Sequence, residues 1–353
     1  MKNLLTADNV KMLGRVCEYE GAFWSALSAT GLAFSFSGRK LEITFVGDEA
    51  SAVPDNKANY ARVAVYVNNE RTSDILIDSA EKTVSVIDCD TPVNSDVKII
   101  KLSECAMSCV GIKALCADDE AVITPAAVSD RRIEIIGDSI TCGYGVDDED
   151  PLHHFFTATE DVTRAYAYKT AQNLGAELDL FSTSGYGIIS GYTEGDRIPE
   201  QTIPQYYESF GFSYSSFANK DKPHSLKWDF SRFVPDIIVI NLGTNDDSYC
   251  QDDESRQALY TTEYTKFLHK VRSLNPTAYI LCTVGIMGQR IFPALQKGVD
   301  AYKTESGDEK ISTLLFDCQI PEDGLVADYH PTETTHNKAA AKLTGEIKRI
   351  MNW

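Results

Sequence analysis

Basic residues are scarce in this chain. Its 33 lysines and arginines face 52 aspartates and glutamates, for a formal charge of −19 at pH 7. That balance argues against nucleic acid or an anionic membrane as a partner, because either would repel the chain and no basic stripe offsets the repulsion. No apolar run approaches the ~20 residues a membrane helix requires. The stretch from Met1 to Asp8 lacks the apolar core of a signal peptide, which gives the expectation of a cytoplasmic protein with reduced thiols. The nine cysteines form no C-x-x-C framework. Cys105 and Cys109 have no second pair or histidine nearby, so neither a metal nor any other cofactor is expected. Internal repeats and low-complexity tracts are also missing. Histidine is rare, at six residues, and this keeps the search for a catalytic base short.

What is present describes an ordinary globular chain whose 353 residues exceed the ~100–200 of one domain. From about Tyr19 to Val128 the hydrophobic pattern has period two. Leu32, Phe34 and Phe36 alternate with Ala33, Ser35 and Ser37, and Leu41, Ile43 and Phe45 continue the rhythm. Turn signals at Gly38-Arg39, Asn68-Asn69 and Asn94-Ser95 divide the runs, so residues 1–128 are expected to form an antiparallel β-sandwich. After Arg131 the pattern changes to strand, loop and helix, repeated. Residues 129–353 are therefore expected to form an α/β domain with a parallel sheet covered on both faces. Helices are expected over Asp161–Leu174, Glu254–Leu274 and Glu333–Ile350, the last with Thr332 as its N-cap. The stretch from Tyr192 to Trp228 is long for a connection and is a candidate to shape a cleft.

Three short segments carry chemistry. In Ile133-Glu134-Ile135-Ile136-Gly137-Asp138-Ser139 an apolar run stops at a glycine, which lets the backbone turn sharply and present Ser139 at the C-terminal end of a strand. Asp138 and Ser139 are equally good helix caps, so this stretch alone leaves both readings open. Ile237-Ile238-Val239-Ile240-Asn241-Leu242-Gly243-Thr244-Asn245-Asp246 repeats the pattern, and Ala327-Asp328-Tyr329-His330-Pro331 precedes the closing helix. A serine nucleophile needs a base matched to neutral pH, which histidine supplies. His153, His154 and His224 lie in polar loops, and His269 and His336 in helices. His330 is held rigidly by Pro331, so it is the preferred base.

Gly-Asp-Ser, Gly-x-Asn-Asp and His-Pro, in this order, resemble the SGNH hydrolase (GDSL esterase) superfamily. The resemblance implies a flavodoxin-like, three-layer α/β/α domain. It also implies an oxyanion hole made by the N–H of Ser139, the N–H of a glycine after the next strand and the carboxamide of Asn245. Spacing favours Gly187 over Gly185 for that glycine. Most members place an aspartate three residues before the histidine, where this chain has Ala327. Asp328 is the candidate third member, acting on His330 through its side chain or only through its backbone carbonyl. With the N-terminal sandwich and Trp228-Asp229-Phe230-Ser231, the chain resembles carbohydrate esterase family 2, in which a jelly-roll domain precedes the SGNH domain. That implies serine-dependent, metal-free removal of O-acetyl groups from plant oligosaccharides, with a preference for primary 6-O positions and manno-, xylo- or gluco-configured substrates. Tyr329, Tyr192, Tyr186 and Trp228 are candidates to stack on the sugar. The rival readings are an acyl, lysophospholipid or thioester hydrolase and a non-catalytic glycan-binding protein. Sequence gives no oligomeric state.

Overall fold

In the computed structural model, which describes residues 1–353, Met1–Ser129 form one unit together with Phe155–Glu160 and Ser209–Trp228. The remaining residues form a second unit, so a single cut between residues 128 and 129 does not separate the two.

The period-two pattern acts as expected in the first unit: Leu32, Phe34, Phe36, Leu41, Ile43 and Phe45 are all buried in one apolar core. They lie on one 17-residue strand, Gly31–Gly47, which pairs antiparallel with the 21-residue strand Glu81–Lys101. Two of the expected turns are absent. Asn94 and Ser95 pair with Ser37 and Phe36 inside the long ladder, and Gly38-Arg39 sits at a register shift between Gly38 and Lys40. A bulge bends and twists a strand without ending it, so the turn-forming residues mark a bend here. Asn68-Asn69 is a true hairpin turn, with φ of 52° and 67°, the double left-handed conformation that matches strand twist. All ten strands join one continuous antiparallel sheet. The late segments are tied into this unit: the Arg15 guanidinium donates to the Ser209 carbonyl (2.8 Å), and the Glu160 carboxylate accepts the Glu104 N–H (2.6 Å).

The second unit is built on five parallel strands, Arg132–Gly137, Glu177–Ser182, Ile237–Asn241, Tyr279–Ile286 and Ile311–Cys318. In the order of the chain they are arranged 2-1-3-4-5 across the sheet, the flavodoxin-like order. Every residue of Ile237–Asn241 is buried, as a strand covered on both faces requires. The helices are α1 (Ser139–Cys142), α2 (Tyr166–Leu174), α3 (Thr244–Cys250), α4 (Glu254–Leu274), α5 (Phe292–Ser306) and α6 (Glu333–Met351). The helix expected over Asp161–Leu174 is split. Ala165 is extended, separating a short 3₁₀ turn at Val162–Arg164 from α2. Thr332 occupies the N-cap position of α6 without capping it, because its hydroxyl donates to the Asp323 carbonyl (2.9 Å). No helix is long and apolar enough to cross a membrane. In this strand order the chain reverses direction between the first and third strands, and ligands of such sheets bind at that switch point. Ser139 and Asn245 follow those two strands.

Candidate active site

The strand ending at Gly137 delivers Ser139 because nothing larger than glycine fits there. A Cβ at residue 137 would lie 2.1 Å from Thr141 Oγ1 on α1. The two readings of the Asp-Ser pair resolve onto different residues. Asp138 caps α1, its carboxylate accepting the Ile140 N–H (3.1 Å), and Ser139 is the first helical residue. Ser139 is 8% exposed and its own N–H has no partner in the chain.

His330 lies opposite. Its Nε2 is 2.9 Å from Ser139 Oγ, and its Nδ1 is 3.2 Å from the Ala327 carbonyl oxygen and 3.1 Å from that of Asp328. An Nδ1–H donated to those carbonyls leaves the Nε2 lone pair for the serine hydroxyl. Burial pushes the imidazole down to about 4, against the upward pull of the two carbonyls, so it is neutral and able to accept a proton at neutral pH. Of the two routes open to Asp328, the contact with His330 is through the backbone carbonyl. The carboxylate turns away, accepting from Tyr144 Oη (2.5 Å) and lying 2.9 Å from His154 Nδ1. The backbone explains this: Asp328 and Tyr329 both have left-handed φ, 50° and 62°, at a cost of about 1–2 kcal/mol per residue. The loop is pinned by the Ala327 N–H on the Asp148 carbonyl (3.1 Å) and the Asp328 N–H on the His153 carbonyl (2.9 Å). Ala327 packs so tightly on Gly145 that a Cβ at 145 would come within 2.8 Å of its own.

Asn245 follows Gly243, whose φ of 140° turns the chain into α3. Its Nδ2 donates to the Tyr186 carbonyl (2.9 Å) and, at 3.4 Å, faces Asp138 Oδ2. Gly187 is the glycine expected to donate into the oxyanion hole. Its N–H is donated to the Gln201 carbonyl (3.3 Å), and a Cβ there would strike Ser190 O at 2.3 Å and Asp246 Oδ2 at 2.6 Å, so packing demands this glycine. Gly185 has φ of 78°, open space where a Cβ would stand, and an N–H with no partner in the chain. It is the available backbone donor after that strand. The loop beyond it is held by Asp246, whose buried carboxylate accepts the N–H groups of Ile188, Ile189 and Ser190 at 2.7–3.2 Å. Burial raises Asp246 to about 6 and Asp138 to about 7, against the N–H donors that pull each down.

The four candidate aromatics divide. Tyr192 (58% exposed) and Tyr329 (54%) present free ring surface, whereas Tyr186 (3%) and Trp228 (8%) are buried and offer no face for a sugar. Trp228 belongs to the first unit, with the Arg15 guanidinium 5.3 Å from its ring centre. Sequence reasoning passed over Tyr144 and Asp246. Tyr144 is an aromatic flanked by two glycines, five residues past the serine, and Asp246 is the second half of the Asn-Asp pair, inside a segment already singled out.

The model of the GDSL-like lipase/acylhydrolase family matches residues 135–338, more than half of the chain. The chain belongs to this family. The carbohydrate esterase 2 N-terminal model matches residues 13–126. It is similar to the cellulase/esterase CelE of Acetivibrio thermocellus, with 29% identity over 346 residues. That match takes in 95% of this chain and spans only 39% of the length of CelE. An acetylxylan esterase/glucomannan deacetylase of Cellvibrio japonicus is 26% identical over 328 residues, covering 91% of this chain and 86% of that protein. Among solved structures, a family two carbohydrate esterase from Clostridium thermocellum in complex with cellohexaose superposes with a TM-score of 0.83 at 26% identity. It covers 98% of this chain and 99% of its own.

Proposed function

We propose that this chain is a serine-dependent carbohydrate O-acetylesterase acting on acetylated plant oligosaccharides, with primary 6-O-acetyl groups as preferred targets. The observation that carries the reading is the 2.9 Å contact between Ser139 Oγ and His330 Nε2, with the opposite ring nitrogen facing two main-chain carbonyls. Ser139 attacks the acetyl carbonyl as Nε2 takes its proton, and the N–H groups of Ser139 and Gly185 with Asn245 Nδ2 receive the charge on the oxygen. The proton passes to the departing sugar oxygen. Water, deprotonated by the same nitrogen, then hydrolyses the acetyl-enzyme and releases acetate. Tyr192 and Tyr329 offer exposed rings for the apolar face of a pyranose. The names of the relatives, an acetylxylan esterase/glucomannan deacetylase and an esterase solved with cellohexaose, support a glycan ester over a lipid one.

The test is chromatography of acetylated manno- and xylo-oligosaccharides before and after treatment, with acetate measured in parallel. Ser139→Ala and His330→Ala should each lower kcat by at least about 10³-fold, as loss of a nucleophile or its base does. A Ser139→Ala protein that released acetate at the parent rate would end the proposal, and faster cleavage of octanoyl than acetyl esters would transfer it to lipid substrates.

A further inference from the structure

Serine hydrolases with a full triad use a buried carboxylate both to orient the imidazole and to stabilise its charged form. Here the nearest carboxylate, Asp328, points elsewhere, and two carbonyl dipoles alone leave the ring free to swing about its hydrogen bonds. Something else must fix the ring plane. The Tyr144 ring lies against His330 with centroids 3.9 Å apart and planes 20° from parallel. Its hydroxyl donates to Asp328 Oδ2 at 2.5 Å, and Asp328 Oδ1 is 2.9 Å from His154 Nδ1. One side chain therefore touches the imidazole directly and also grips the left-handed turn whose carbonyls meet Nδ1. Tyr144 itself stands between Gly143 (φ 84°) and Gly145 (φ 60°), one helical turn beyond the serine.

We propose that Tyr144 is the positioning residue that replaces the orienting half of the missing triad acid. Its ring sets the plane of the imidazole, and its hydroxyl, through the Asp328 carboxylate, holds the Asp328–Tyr329 turn that presents the carbonyls. Asp328 is thus a clamp on its own backbone. This inference rests on the esterase reading above for its kinetic consequences, though the geometry it describes exists without turnover.

Four proteins test it: the parent, Tyr144→Phe, Tyr144→Ala and Asp328→Asn, each checked for folding by its thermal melt. With p-nitrophenyl acetate, Tyr144→Ala should lose about 10²-fold in kcat with KM changed less than about threefold, since misorientation acts on the chemical step. Tyr144→Phe keeps the stack and should recover kcat to within about tenfold of the parent. Asp328→Asn keeps the main-chain carbonyl and an acceptor for Tyr144, and should lose about tenfold, where a relay carboxylate would cost about 10⁴-fold. In ¹⁵N-histidine-labelled protein, the downfield Nδ1–H signal of His330 should persist in Tyr144→Phe and Asp328→Asn and broaden in Tyr144→Ala. Parent-like kcat and an unchanged signal in Tyr144→Ala would overturn the proposal, as would a 10⁴-fold loss in Asp328→Asn. If the parent cleaves no ester, the esterase reading fails by itself and the imidazole spectrum still decides the role of Tyr144.

Discussion

Asn245 shows how one carboxamide can be both fastened and available. One Nδ2 hydrogen is spent on the Tyr186 carbonyl at 2.9 Å, while the other is held only at 3.4 Å by Asp138. A contact that long gives little energy and releases the hydrogen readily to a stronger acceptor. An acetyl oxygen acquiring charge in the transition state is such an acceptor. Asn245→Ala should therefore lose about 3 kcal/mol of transition-state stabilisation, a fall of about 10²–10³-fold in kcat with KM nearly unchanged. Steady-state kinetics on an acetyl ester reads this directly, and an unchanged kcat would remove Asn245 from the oxyanion hole. Burial of Asp138 works with it, because raising that carboxylic acid to about 7 leaves it partly protonated at neutral pH and weakens its hold on the amide.

At the scale of elements, the site is a set of loops at the ends of parallel strands, and each loop has its own anchor. The loop after Glu177–Ser182 is anchored by Asp246, which accepts three N–H groups from Ile188 to Ser190. Asn carries no charge, and with its one acceptor oxygen in the place of Oδ1, where all three donors converge, its amino group would stand in the place of Oδ2, 2.9 Å from the Ile188 N–H. Asp246→Asn should cost about 2–4 kcal/mol of stability and loosen Gly185. The expected result is a lower Tm, faster hydrogen exchange over residues 185–190 and reduced kcat; native exchange in that loop would show the anchor to be dispensable. Such anchors explain what was legible in the sequence. Gly137-Asp138-Ser139 and His330-Pro331 could be read because strand burial and a rigid proline are local. The choice between Gly185 and Gly187 could not be, since it turns on Gln201 returning to accept the Gly187 N–H. In the same way Gly38 and Asn94 resemble turns locally, and only the opposing strand shows that they lie within the ladder. The diversion of the Asp328 carboxylate was hidden for a further reason, that it follows from two consecutive left-handed residues, neither of them glycine.

For the molecule as a whole, the buried ionisable groups pull stability in opposite directions with pH. His336 on α6 is fully buried, accepts the Tyr166 N–H at Nδ1 (3.2 Å), and is pushed down to about 3, chiefly by burial, from an ordinary 6.5. Between those values the unfolded chain binds a proton that the folded chain refuses. Stability from this group is therefore complete above pH 6.5 and is lost as pH falls, at about 1.4 kcal/mol per unit once the unfolded histidine is protonated. His330, lowered to about 4, acts the same way over a shorter span. Asp246 and Asp138 act oppositely: raised to about 6 and about 7 from 3.8, they bind protons in the folded state that the unfolded chain has released, so their contribution grows on acidification. Two protons refused and two retained leave the parent's stability nearly flat between about pH 4 and pH 6 as far as these groups decide it. His336→Gln removes one of the two refused protons while leaving His330 and the aspartates in place. Its Tm should be lower than the parent's at pH 7.5, and the gap should narrow steadily as pH falls toward 4. Thermal melts at half-unit steps check this, and a gap constant across the range would mean that His336 takes up its proton at the same pH in the folded protein as in the unfolded chain.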